Sequence, residues 1–264
     1  MNSESDADED AQEVPLLRGG NMESEADHRV HKRFSILYGI ASGLGALLIV
    51  LMFIWIVSYQ GGFGIDDADK EFYWHPMLMV LGLIFLYAQA MLVYRVARNA
   101  KKKILKLTHA ALHCFAFILT VIALKAAFDS HNFSVPSKPN LYTLHSWIGL
   151  ITVILFTYQF LSGFLTFLFP GFSKEVRATY LPIHTHFGAA IFTMVIITAM
   201  MGIAEKAIWS VDKYSNTTNE AILVNFMGVI LVGFGALVVY LVNDPSYKRV
   251  ALAEDEIILP DRID

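Results

Sequence analysis

Residues 34–58 read FSILYGIASGLGALLIVLMFIWIVS, and the stretch contains no Asp, Glu, Lys or Arg. A helix needs about 20 consecutive apolar residues to cross the hydrocarbon core of a bilayer, and this run exceeds that length. Five further runs of the same kind follow at 72–94, 104–128, 144–169, 181–204 and 221–242. The chain as a whole is 55% hydrophobic and 17% charged over 264 residues, too few charges to clothe a soluble domain of that size. The sequence therefore predicts an all-α integral membrane protein with six transmembrane helices. Membrane lipid is the expected surrounding, with no nucleic-acid partner.

The flanks differ in character. Residues 1–33 hold nine of the 24 carboxylates, and their opening lacks the basic start and short apolar core of a secretory signal. They are expected to form a disordered acidic tail in the cytosol. Residues 244–264 form a second cytosolic tail, leaving 34–243 as the six-helix domain. The strings QEVPLL (12–17) and YKRV (247–250) are loosely like endosomal sorting signals, a pattern short enough to arise by chance. Cys114 is the only cysteine, so neither an intrachain disulfide nor a thiolate cluster is available.

Lys and Arg collect on the cytoplasmic side of membrane helices. Arg29, Lys32, Arg33, Arg95, Arg98, Lys101, Lys102, Lys103, Lys106, Lys174, Arg177, Lys248 and Arg249 fall on one side of the predicted layout. The opposite loops hold four, Lys70, Lys138, Lys206 and Lys213. That asymmetry places both termini in the cytosol. Asn216-Thr217-Thr218 then lies outside as a candidate glycosylation sequon, and Asn132-Phe133-Ser134 is a second, closer to helix 3.

Ionisable residues inside spans are costly and usually mark function. Here the histidines sort by depth. His75 and His145 stand near the outer ends of helices 2 and 4, and His109 and His184 near the cytosolic ends of helices 3 and 5. A single interfacial histidine is most simply one that hydrogen-bonds to backbone or headgroups. Four of them, two at each depth and all on the central helices, point instead to paired axial ligation of haem iron by neutral imidazole. At 1.5 Å per helical residue the two layers stand about 20 Å apart. Helices 2–5 are thus expected to form a four-helix bundle holding two b-type haems, with helices 1 and 6 flanking. Gly82, Ala88, Ala110, Ala111, Gly149, Gly163, Gly188 and Ala189 would leave room for flat cofactors. His113 shares a helix face with His109 and reads as a packing or supporting residue. Between His184 and His186, two apart, spacing does not choose.

At these positions the sequence resembles the cytochrome b561 family of ascorbate-linked transmembrane reductases, over roughly residues 38–249. The strings that carry the likeness are Trp74-His75-Pro76, residues 92–95 (LVYR), Lys106 through His109-Ala110, residues 140–147 (NLYTLHSW), residues 181–184 (LPIH) and residues 201–206 (MGIAEK). Any one would be weak; together they are specific. The resemblance implies axial pairs His75/His145 and His109/His184, selecting His184 over His186. It also implies haem contacts from Arg95, Asn140, Leu141, Tyr142, Thr143 and Glu205. It places a cytosolic ascorbate site on Lys102, Lys106 and Arg177, where a cationic funnel suits a monoanion. On the outer side it places an acceptor site at His131 and Asn132, for a ferric chelate or monodehydroascorbate. Pro136 and Pro139 depart from several relatives there and leave the acceptor open. A homodimer is a further implication, as is residence in an endosomal or lysosomal, secretory-vesicle or plasma membrane.

Without the resemblance, Arg95 reads as a snorkelling interfacial cation and Glu205 as a solvated loop residue. Two other functions compete with an electron-carrying reductase. One is a haem-anchoring relay subunit for a partner redox enzyme, with no ascorbate site of its own. The other is a transporter or channel whose histidines bind a metal, and such a protein would purify colourless.

Overall fold

The computed structural model describes residues 10–249. Among these residues the protein is entirely helical. The helices are α1 (Asp10–Tyr59), α2 (Ala68–Glu71), α3 (Trp74–Met79), α4 (Tyr87–Val96), α5 (Lys102–Asn132), α6 (Leu144–Phe167), α7 (Lys174–Ser210) and α8 (Asn219–Asn243). A π-helical segment, Val80–Leu86, joins α3 to α4. Six stretches are long and apolar enough to cross a membrane: Asp27–Tyr59, Ala68–Val96, Lys102–Asn132, Leu144–Phe167, Lys174–Ser210 and Asn219–Asn243. The protein is an integral membrane protein of six spans, as the apolar runs predict.

The helices overrun the apolar runs. The first continues upstream of residue 34 to Asp10, so the expected tail boundary falls inside a helix. The fifth begins at Lys174 rather than near residue 181, carrying Pro182 in its interior. Hydropathy marks where lipid solvates a helix; backbone hydrogen bonding continues into water wherever no breaker stops it. The sorting-like string 12–17 lies within the described backbone. In the string at 247–250, Tyr247 is buried against Phe34, with ring centroids 5.2 Å apart.

Helix α1 lies antiparallel on α8. The start of its membrane-crossing stretch is tied to the end of α8 by Arg33 donating to the Tyr240 hydroxyl (3.0 Å), and its end to the start of α8 by the Trp55 indole donating to Glu220 (2.9 Å). Between these ties, Leu48, Met52 and Ile56 are buried, as are Leu231, Phe234 and Val238. Lipid offers apolar side chains the same company as a neighbouring helix does, so packing and buried polar contacts, about 0.6–2 kcal/mol per hydrogen bond, fix such pairs. The same applies to Tyr38, which donates to Gln89 (2.7 Å) and ties α1 to α4.

The π-helical segment is a feature that hydropathy does not reveal. A π turn accommodates one extra residue, so the residues beyond it present a different face from the one an unbroken α-helix of the same sequence would present. After it, Tyr87 points into the core, 1% exposed, and its hydroxyl donates to the Gly188 carbonyl on α7 (2.9 Å). Gly82 within the segment lets the backbone of α5 come close, since a Cβ there would stand 3.2 Å from the Ala116 carbonyl oxygen.

Candidate redox centre: two histidine pairs

The fold brings the four predicted histidines together in two pairs. His75 at the start of α3 faces His145 at the start of α6, with ring centroids 6.2 Å apart and ring planes at 89°. His109 on α5 faces His184 on α7, with centroids 6.3 Å apart and planes at 67°. The first pair lies at the end of the bundle formed by the loops around residues 60–67, 133–143 and 211–218; the second lies at the end nearer both chain termini. A metal about 2 Å from each of two imidazole nitrogens, each ring centre ~1.1 Å further back, separates the centroids by about 6.2 Å. Both gaps therefore match an ion held between two imidazoles, as a haem iron is.

Three of the four rings are oriented by a backbone carbonyl at Nδ1. His75 meets Ala123 O (3.2 Å), His145 meets Thr198 O (2.9 Å) and His109 meets Ala90 O (2.8 Å). An imidazole that donates Nδ1–H to a carbonyl keeps Nε2 unprotonated and aimed at a metal. The His184 ring is held differently. Its Nδ1 is buried with no partner, while its backbone carbonyl accepts from the buried Gln159 amide (2.5 Å). Pro182, two residues earlier, lacks an N–H, so a carbonyl of α7 one turn back is released from the helical ladder here.

Close approach fixes the rings from behind. A Cβ at Gly163 would stand 2.7 Å from His184 Cε1, and one at Gly202 would stand 2.7 Å from His145 Cε1. These two glycines are seats for the imidazoles. The sequence marks Gly163 as one of the small residues leaving room for a flat cofactor, and Gly202 only as part of the string 201–206. His113 is buried, its ring 4.5 Å from His109 and 4.8 Å from Tyr87, in keeping with a supporting place in the interior.

The segment 140–147 builds the entry to α6. Leu141 takes φ = +52°, a left-handed backbone that costs a non-glycine residue of order 1 kcal/mol. The indole of Trp147 donates back to its carbonyl (2.8 Å). Thr143 then caps the helix through a reciprocal capping box with Ser146. That cap sets His145 in the first turn of α6, and Tyr142 stacks on Trp209 of α7 at 13°. Asn140, Leu141, Tyr142, Thr143 and Glu205 all line one cavity of about 230 Å³, together with His75, His145 and His131. Asn132, read as an acceptor-side residue, accepts from the Asn140 side chain (2.8 Å) and so closes the loop around that cavity.

At the opposite end, Lys102, Lys106 and Arg177 come together: Lys102 and Arg177 both lie near enough to repel the Lys106 charge. The Lys106 ammonium donates to the Phe167 carbonyl at the end of α6 (2.8 Å). Arg95 is engaged elsewhere. Its guanidinium donates to the carbonyls of Val242 and Asp244, capping the end of α8. Asn216 is exposed in a 3₁₀ turn, Tyr214–Asn216.

Six membrane-crossing helices that present opposed imidazoles at both ends of one bundle define a transmembrane cytochrome. The chain belongs to the eukaryotic cytochrome b561 family, whose model matches residues 74–210. It is 40% identical over 234 residues to the plasma membrane ascorbate-dependent reductase CYBRD1 of Xenopus tropicalis, covering 87% of this chain and 82% of that protein. It is 39% identical over 219 residues to the transmembrane ascorbate-dependent reductase CYB561 of Homo sapiens, covering 83% of this chain and 86% of that protein.

Proposed function

We propose that this protein is an ascorbate-dependent transmembrane reductase that takes electrons from cytosolic ascorbate and delivers them to an acceptor across the membrane. Two imidazole pairs, each spaced for one iron, carry the reading. Haem b bound at each pair supplies one-electron carriage between the two faces. The residues of the chain do the rest. His75 with His145, and His109 with His184, would hold the irons; carbonyl partners keep His75, His109 and His145 as neutral ligands, and His184 relies on its buried setting alone. At the His75–His145 pair a mostly apolar cavity lining would limit the access of water to the metal.

Lys102, Lys106 and Arg177 form the ascorbate site, on the side where the positive-inside rule places both termini. Three cations at one mouth raise the local concentration of a monoanion. An arrangement of this kind favours a reductase with its own donor site over a relay subunit that borrows a partner's. His131 and Asn132 form the acceptor side, for ferric iron or monodehydroascorbate. The names of the relatives support ascorbate dependence.

An optical spectrum of the purified protein before and after ascorbate tests the reading. The expected result is a b-type spectrum with two haems per chain that ascorbate reduces. A colourless protein, or a haem protein that only dithionite reduces, overturns it.

A further inference from the structure

Among the described residues, Lys206 is a cation without an anion. It sits near the end of α7, and its ammonium lies 4.6 Å from the Phe72 ring centre and 5.0 Å from that of Tyr73. No carboxylate comes within ion-pair distance of it among the described residues. Asp69, the acidic group whose field reaches it, is taken by Lys138 at 2.7 Å. Glu220 accepts from Trp55 and Gln60 instead.

The aromatic shelf beneath the ammonium is fixed in place. Tyr73 donates to Gln60 (2.6 Å), and Gln60 donates in turn to Glu220 (2.5 Å). Two ring faces attract a cation, but they do not replace the hydrogen-bond acceptors that water would supply. The Lys206 side chain lines the same cavity as His75 and His145, and Phe72 lies 6.0 Å from the His75 ring. A partly desolvated ammonium therefore faces a cavity that, on the function proposed above, receives a group bearing two carboxylates.

We infer that Lys206 is the counter-ion of a carboxylate of the haem held by His75 and His145. The inference rests on that functional reading. It assigns the residue two effects. The ammonium anchors the group through a charge-assisted hydrogen bond, and its fixed positive charge favours the reduced state of the iron beside it. Its shelf of Phe72 and Tyr73 holds the charge in position when the carboxylate is absent.

The test is a spectroelectrochemical titration of the holoprotein and of its Lys206→Met and Lys206→Arg variants, with haem content per chain measured alongside. In Lys206→Met the haem of the His75–His145 pair is expected to become about tenfold harder to reduce, which for a one-electron couple is 59 mV. The other haem should keep its potential, and Lys206→Arg should restore most of the shift. Unchanged potential and unchanged haem content in Lys206→Met overturn the inference. So does a slower reaction with an outer acceptor at unchanged potential, because Lys206 would then serve the acceptor. Absence of haem from the unaltered protein sinks the functional reading itself, a result the parent spectrum reveals before any variant is made.

Discussion

The two histidine pairs have nearly the same spacing and are held by different means. At the His75–His145 end both rings lean on carbonyls of neighbouring helices, Ala123 and Thr198, and a loop locked by Asn132–Asn140 closes over the cavity. At the His109–His184 end only His109 has such a carbonyl. His184 is set by Gln159 on its backbone and Gly163 behind its ring, with His113 packed close to His109. Each end has one ring backed by a glycine, His145 by Gly202 and His184 by Gly163, but His145 is also tethered at Nδ1 and His184 is not. The ring without a tether depends on side-chain packing alone, so substitutions should discriminate between the two ends.

The largest effect is expected from removing ligands. His109→Ala or His184→Ala should lose one haem per chain and keep the other, while His75→Ala or His145→Ala should lose the complementary one. A pyridine haemochrome assay counts them, and retention of both haems in any of the four refutes the pairing.

Next come the two seats. Gly163→Ala and Gly202→Ala each drive a methyl into an imidazole, an overpacking cost of about 1–3 kcal/mol. Gly163→Ala should disturb only the haem at the termini end and Gly202→Ala only the one at the loop end, read from low-temperature spectra. A common response to both would erase the distinction.

The donor cluster is expected to be more graded. Lys106→Ala with Arg177→Ala should slow reduction by ascorbate by roughly tenfold, the loss of two attractive charges at a surface mouth, and spare reduction by dithionite. Equal loss with both reductants would point to a damaged fold, Lys106 being also the donor to Phe167. His131→Ala should alter the rate toward an outer acceptor without changing haem content, and an unchanged rate removes it from the acceptor site.

The smallest expected effect concerns Asp244, just beyond the last span. The Ser246 hydroxyl and amide both donate to its carboxylate and hold its pKa below the usual carboxylate value. A depressed carboxylate lends its stability above the ordinary pKa and loses it as pH falls through the lowered one. Acidification should therefore loosen the turn Pro245–Tyr247, as faster amide exchange at Ser246 and Tyr247 would show, without altering either histidine pair.

The parts of this architecture that are legible in the sequence are those written as composition or period. Apolar length gives the six spans, and the depth of His75, His109, His145 and His184 gives which rings should meet. What the sequence hides is written in backbone. The carbonyls of Ala90, Ala123 and Thr198 have no side-chain signature. The π-helical segment Val80–Leu86 carries only apolar residues, so its hydropathy equals that of an ordinary helix. Gly163 and Gly202 stand out as small residues, yet only three-dimensional proximity shows that an imidazole lies against each. Arg95 illustrates the converse, since a cation at a span end meets two carbonyls of α8 that sequence distance conceals.

The π-helical segment also makes the chain unusually tolerant of its residue count at one place. Removing a single residue between Val80 and Leu86 would let the segment close into regular α-helix, the shorter turn taking up the missing residue. Helix α4 would then keep its facing, with Tyr87 still toward Gly188 and the Ala90 carbonyl still on His109. A one-codon deletion inside an unbroken helix such as α6 would instead turn everything downstream by about 100°.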